Sequence, residues 1–291
     1  MTDLDTILNA PTPVAARALE QASKGDRWWM FEHQQCDMFA QNHSWVESRE
    51  HLTDPRIRLR VAHARVLRYE SISAASLVKE QPRDTTLDEA GFWSVPLELQ
   101  PWEARWWNAE DLREYYEGGS AGWTGATNRF PPRQFKFPIL LPTGQFRGRI
   151  RQLEEVGAFA LSNWLERVTV VHGTAEQAAA HRFEVAGCGD LEDGVPAAVV
   201  DFASAYPALV GILRGEQAYC ATVSEALGRL KLWRLLSVLA GSPLASDITS
   251  FVDRVRCVTW HDPCDESLYL HLAIEDPVQG ISWALDGQDF D

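Results

Sequence analysis

Arg256-Cys-Val-Thr-Trp260, Ser267-Leu-Tyr-Leu-His-Leu-Ala-Ile274 and Ile281-Ser-Trp-Ala-Leu285 follow one another at the end of a 291-residue chain, separated by turns that contain Pro263 and Pro277. Each stretch is short, apolar and bounded by turn-forming residues, which reads as a strand. In the middle one Leu268, Leu270 and Leu272 alternate with His271, so the histidine belongs to the opposite face. Further back, Val168–Val171 and Ala197–Phe202 have the same character. Helical spacing occupies 174–183 and a long stretch from about 216 to 240 with Leu227, Leu230, Leu235 and Leu239. The fold class expected is α+β: a helical N-terminal region followed by a mixed or antiparallel sheet with flanking helices.

The first 80 residues read as helices. Thr12-Pro13 opens one that continues to about Ser23, since proline fits the first turn, where its missing N–H has no acceptor to lose. A second spans about Asp26 to Ala40. A third starts at Asp54-Pro55 and carries Ile57, Val61, Ala64 and Leu67 on one face, with Arg56, Arg58, Arg60, Arg65 and Arg68 on the others. Those arginines suit pairing with the chain's own carboxylates, with phosphate as the other ligand they could hold.

Residues 79–90 are polar and lack helical spacing, as a linker would. Phe92–Leu99 is expected as a strand, Ala109–Glu117 as a helix capped by Asn108, and 118–132 as an exposed loop. Alternating Phe135, Phe137, Ile139 and Leu141 run into Pro142-Thr-Gly144, a hairpin pattern that ends near Arg151, and 153–166 has helical spacing. The organisation expected is a helical region 1–80, a Trp-rich β-containing segment 81–150, and an acidic α+β region 151–291 that could form one domain with 81–150.

Charge is unevenly spread. Residues 1–150 carry 18 Lys and Arg against 20 Asp and Glu, and residues 151–291 carry 9 against 21, within a formal net charge of −14. An acidic second half repels phosphate backbones, so nucleic acid is disfavoured and a protein with a basic surface is the partner that suits it. The five cysteines, at 36, 188, 220, 257 and 264, are odd in number and contain no Cys-x-x-Cys, which argues against a disulfide framework and for a cytoplasmic location. Apolar runs such as Leu235–Ala240 are too short to cross a bilayer, and Met1–Asp5 lacks the start of a secretory signal, so no membrane is expected.

Twelve tryptophans are the compositional oddity, with adjacent pairs at Trp28-Trp29 and Trp106-Trp107. Neighbours on a helix stand about 100° apart, so one ring of a pair sits at the edge of the buried face. Trp106, Trp107 and Trp283, with Asp286 and Asp289 of the acidic C-terminus, are the candidate binding residues.

One spacing occurs twice: His-x-x-Cys-Asp-x5-His, at His33, Cys36, Asp37, His43 and at His261, Cys264, Asp265, His271. Imidazole, thiolate and carboxylate are zinc's ligands. In the first copy the last residue lies about 10 Å further along a helix than the cysteine, and in the second Pro263 breaks any helix. One spacing with two geometries does not favour metal. His33, Cys36, His261 and Cys264 are the candidates if a single zinc site draws on both ends.

Val168-Thr-Val-Val-His-Gly-Thr174 resembles the strand ending in His-Gly-Thr that opens some ADP-ribosyltransferases. The resemblance implies that His172 grips the ribose of NAD, that Thr174 orients the substrate, and that a distant glutamate, Glu275 or Glu266, supports transfer. The same strand is similar to the His-Gly strand of α/β-hydrolases, but the Gly-x-Ser-x-Gly elbow which that chemistry needs is missing. Val199-Val-Asp-Phe-Ala-Ser-Ala-Tyr-Pro207 resembles a metal-binding motif of family B DNA polymerases. That family's second carboxylate motif is absent, which leaves two-metal chemistry without its other half and rejects the activity. A buried strand ending at Asp201, which caps a turn before Pro207, is the structural reading.

Two classes of function remain. The first is a cytoplasmic protein-binding protein, accessory or neutralising, without catalytic activity and with no cofactor. The alternative is a nucleotide- or NAD-handling enzyme of ADP-ribosyltransferase-like type, with His172, Thr174 and Glu275 as its catalytic residues.

Overall fold

The structure is a computed structural model that describes residues 4–24, 28–73, 77, 91–104, 167–186, 197–214, 224–260 and 268–289. The chain divides into two compact units. One comprises Met1–Gly122, Leu213–Glu216 and Cys220–Arg234, and the other Trp123–Ile212, Gln217–Tyr219 and Leu235–Asp291.

The first unit is helical where described. It contains α1 (Leu4–Asn9), α2 (Thr12–Ala22), α3 (Trp28–Asn42), α4 (Trp45–Ser48), α5 (Pro55–Val66) and α6 (Pro101–Ala104). Local chemistry sets the starts. Pro13 lies in the first turn of α2, Ser44 and Glu47 cap α4 reciprocally, and Asp54 accepts from the Arg56 and Ile57 amides at the start of α5. Ala15, Ala16 and Leu19 of α2 pack with Phe39 and Ala40 of α3 and Ile57 and Val61 of α5 in one core. Helix α5 is buried on more faces than the one its apolar spacing marks, since Arg60 and His63 are buried too. Arg65 pairs with Glu70 and donates to the Ala40 carbonyl.

The strand expected at Phe92–Leu99 is not formed. Gly91–Ser94 is a 3-10 turn, and the Pro96 and Glu98 carbonyls accept from Arg229 rather than from a neighbouring strand. Proline within the stretch also withholds one ladder N–H.

The second unit holds a five-stranded sheet in the order β1-β5-β4-β3-β2, antiparallel throughout. Its strands are β1 (Arg167–His172), β2 (Ala197–Val200), β3 (Arg256–Trp260), β4 (Leu268–Asp276) and β5 (Ile281–Asp289). The α+β class is therefore correct, and the sheet takes the antiparallel form. Helix α7 (Ala175–Ala186) lies on the face that carries Val171, Val258, Ala273 and Ala284, where alanine on both sides gives a close-packed layer. Trp283 points to the other face, as the pleat requires of Ala284's neighbour. There it meets Phe251 edge-on, with ring centroids 6.2 Å apart.

Three helices complete the description. Helix α8 (Phe202–Leu213) begins where a strand was expected to run on to Phe202. Asp201 accepts from the Ser204 amide at 2.7 Å and starts a helix, not only a turn. Pro207 stands inside α8 and costs it one hydrogen bond, while burial of Phe202, Tyr206 and Leu209 offsets the loss. Helix α9 (Glu225–Ala240) is capped by Ser224, and α10 (Ala245–Arg254) buries Ile248, Phe251 and Val252. No single helix among the described residues is long and apolar enough to cross a membrane. The linker at 79–90, the expected helices at 109–117 and 153–166, the loop at 118–132 and the hairpin at 135–151 lie outside the described residues.

Candidate functional site

The turn from β1 into α7 carries His172 and Thr174, and Glu275 reaches the same helix start from the face of Val171, which is opposite to that of His172. His172 is the last residue of β1, opposite Ile281, and is exposed. Gly173 has φ +151°, a region that side chains disfavour. It donates to the Gly280 carbonyl at 3.0 Å and accepts from the Ser282 hydroxyl at 2.7 Å. Thr174 then caps α7: its hydroxyl accepts from the Gln177 amide at 3.3 Å, and Gln177 Oε1 accepts from the Thr174 amide at 2.9 Å. That is a reciprocal capping box, whose Thr-x-x-Gln signature stands in the sequence.

Glu275 arrives from β4. Its Oε2 accepts from the Ala175 amide at 3.0 Å and from Arg256 Nη1 at 3.3 Å, so its charge faces the positive end of α7. Arg256 also grips Glu176 through its two terminal guanidinium nitrogens. That bond holds the Glu176 carboxyl below its usual range, against the opposing effect of partial burial. Thr174 and Glu275 thus lie at one helix start, and the bonds they make cap that helix. Arg256 and Glu176, which bind this corner together, were not singled out in the sequence.

At the same end of the sheet the β4–β5 hairpin is built on Asp276. Its carboxylate is fully buried, accepts from the Val278 amide at 3.0 Å and from the Gln279 side chain at 2.9 Å, and pairs with Arg254 at 2.7 Å. Burial pushes the carboxyl up, and the Arg254 and backbone bonds outweigh it, so the net shift is downward.

The first unit holds a second polar cluster, wholly enclosed. All five N–H donors of Arg229, on α9, are used. Nε and Nη2 bind the two oxygens of Glu103 at 2.8 and 3.0 Å, and Nη1 meets His63 Nδ1 at 2.7 Å. The Pro96 and Glu98 carbonyls take the remaining donors at 3.0 Å. Trp233 donates to Glu103 at 2.8 Å and meets Trp102 at a tilt of 37°, centroids 5.3 Å apart. Arg229, Glu103 and His63 are fully buried. Since Arg229 can only donate, His63 Nδ1 accepts, and its remaining proton is on Nε2, an atom with no hydrogen-bond partner. Burial, followed by the Arg229 charge, holds the imidazole pKa well below its ordinary value.

Among the described residues no three metal-capable side chains converge. Cys36 is buried and its thiol is pushed well up by burial, which disfavours the thiolate that zinc needs. His43 binds within its own unit, with Nδ1 at 3.1 Å from the Thr12 hydroxyl and Nε2 at 3.1 Å from the Ile7 carbonyl. His271 stacks on Trp260 at 5.3 Å, on the sheet face opposite Leu270 and Leu272. His33 lies in α3, but its side chain is outside the described residues, as are His261 and Cys264.

Of the candidate binding residues, Trp283 is wholly buried and forms part of the core. Asp286 and Asp289 lie on β5, opposite His271 and Leu268 of β4, with side chains outside the described set. Trp106 and Trp107 are outside it altogether. No protein-family model matches this chain, and neither a curated protein nor a solved structure does.

Proposed function

We propose that this protein acts by binding a partner with a basic surface, as an accessory or neutralising protein without catalytic activity of its own. One observation carries the reading. From residue 235 to the end the chain has ten Asp and Glu against two basic residues, Arg254 and Arg256. Both arginines are already engaged, Arg254 with Asp276 and Arg256 with Glu176 and Glu275. Asp201, Asp247 and Asp253 are exposed, so the field this unit presents to solvent is negative. Such a field attracts a basic protein and speeds its docking, and it repels phosphate backbones. A cytoplasmic location goes with this reading, since Cys36 and Cys257 are free thiols.

The test is charge reversal of Asp286 and Asp289 to lysine in the intact chain, with affinity for the co-purifying partner measured across a salt series. Weaker binding with a shallower salt dependence supports the reading. Unchanged affinity and slope refute a role for that end of β5.

The second reading, an NAD-handling enzyme, draws on Thr174 and Glu275 meeting at the start of α7. It predicts that His172→Ala abolishes NAD binding while leaving the fold intact. Calorimetric titration of the intact chain with NAD decides it, and no heat from the unmodified protein rejects it.

A further inference from the structure

We infer that His63 is the release point of an acid-sensitive latch, in which Arg229 holds residues 91–104 to helix α9. The segment 91–104 forms no strand, and its anchoring to α9 is concentrated on one side chain. Arg229 takes the Pro96 and Glu98 carbonyls and both oxygens of Glu103. Trp102 adds its contact with Trp233, and the Gly91 backbone lies close against Arg234.

The guanidinium is oriented from behind by His63 Nδ1, 2.7 Å from Nη1. That contact exists only while the imidazole is neutral, because the proton would be taken up on the lone pair that accepts from Arg229. Protonation puts two cations in contact in a site closed to water. The single carboxylate there, Glu103, is already filled by two Arg229 bonds, the Trp233 N–H and the Gln100 amide. Other buried charges on surrounding elements are Arg60, one turn earlier on α5, Asp37 on α3, and Glu225, one turn before Arg229 on α9 and paired with Arg214, and Arg229 is the one whose charge bears on the imidazole. The relief available is for Arg229 to withdraw, which frees the carbonyls of 91–104 and separates Trp102 from Trp233. His63 Nε2, buried without a partner, then gains water as well.

The population of the released state follows from linkage. If His63 titrates near 6.5 once released and stays neutral in the closed state, lowering the pH from 7.5 to 5.0 raises the released fraction about 30-fold. The experiment is hydrogen exchange on the intact chain at those two pH values, expressed as protection factors. The expected result is a loss of protection of that order across 91–104 while α2 in the same unit stays protected, and no such loss in His63→Gln. Glutamine can still accept from Arg229 through Oε1 but takes up no proton. An equal loss in the variant, no loss in the unmodified chain, or equal losses in α2 and 91–104 would each overturn the proposal. Should His63→Gln fail to fold, the carbon shift of His63 Cε1 in the unmodified protein decides. It must titrate together with the loss of protection, and an imidazole that stays neutral while protection falls overturns the latch.

Discussion

Replacing Arg229 with methionine keeps an unbranched apolar stem as far as the position of Nε and removes the charge and all five donors. The structure sets the consequence. Glu103 would remain fully buried without the two Arg229 bonds, while the Pro96 and Glu98 carbonyls and His63 Nδ1 would lose the Arg229 donors. Removing one member of a buried ion pair costs about 3–5 kcal/mol, because the remaining charge is left uncompensated in a low-dielectric site. At roughly 2–4 °C per kcal/mol this lowers the melting temperature of the unit by about 6–20 °C. Thermal unfolding followed by circular dichroism measures it. The double variant Arg229→Met with Glu103→Leu removes both charges and should recover a large part of the loss, since the pair's desolvation cost disappears with it. A single-variant loss below about 1 kcal/mol, or a double variant whose loss is the plain sum of the two singles, would refute the assignment of Arg229 as the buried centre of this unit.

Gly173→Ala should destabilise the second unit by about 1–3 kcal/mol, because φ +151° is strained for alanine and the added Cβ would lie 1.9 Å from Gln177 Oε1, a capping atom of α7. Urea unfolding checks it, and a neutral substitution would contradict the reading. Alkylation of the native protein should spare Cys36 and Cys257, which are fully buried, with the Cys257 thiol pushed up to about 12 by burial. Mass mapping that found either one labelled before unfolding would disprove this. The melting temperature should be flat from pH 8 to about 6.5 and fall below that. His43 and His63 titrate lower in the folded chain than in the unfolded one, which therefore takes up protons first. A further fall below about pH 4 should follow as Glu176 and Asp276, whose folded values are depressed, lose the stabilisation they supply above that range. A curve that began to fall only below pH 4 would show that neither histidine is held neutral.

How much of this was legible varies with the distance over which the cause acts. The strands at 256–260 and 268–276 and the turn between His172 and Ala175 are local features, and alternation or a capping signature exposes them. The capping box Thr174–Gln177 was equally visible and went unread. Helix α10 was missed because Ser246, Asp247, Thr249, Ser250 and Asp253 give it a polar composition, although Ile248, Phe251 and Val252 keep the i, i+3, i+4 spacing of a buried stripe. Pro207, which a helix interior normally excludes, hides the helical character of α8, whereas burial of its neighbours offsets one missing bond. The Arg229 cluster was beyond local reading. Nothing in Gly228-Arg-Leu-Lys231 marks Arg229 as a buried cation, and its carboxylate, Glu103, stands 126 residues away, just beyond the stretch expected as a strand. The same holds for Arg256, whose partner Glu176 is 80 residues distant.

Recruitment of a basic protein by the negative surface of the second unit is a proposal that salt can test. The most direct measurement is non-denaturing mass spectrometry of the untagged protein, purified from its native source at low salt and again at high salt. The account predicts a stoichiometric complex with a basic protein at low salt that dissociates as ionic strength rises. A chain that carries a ligand of nucleotide mass, or one that is bare at low salt, would contradict it.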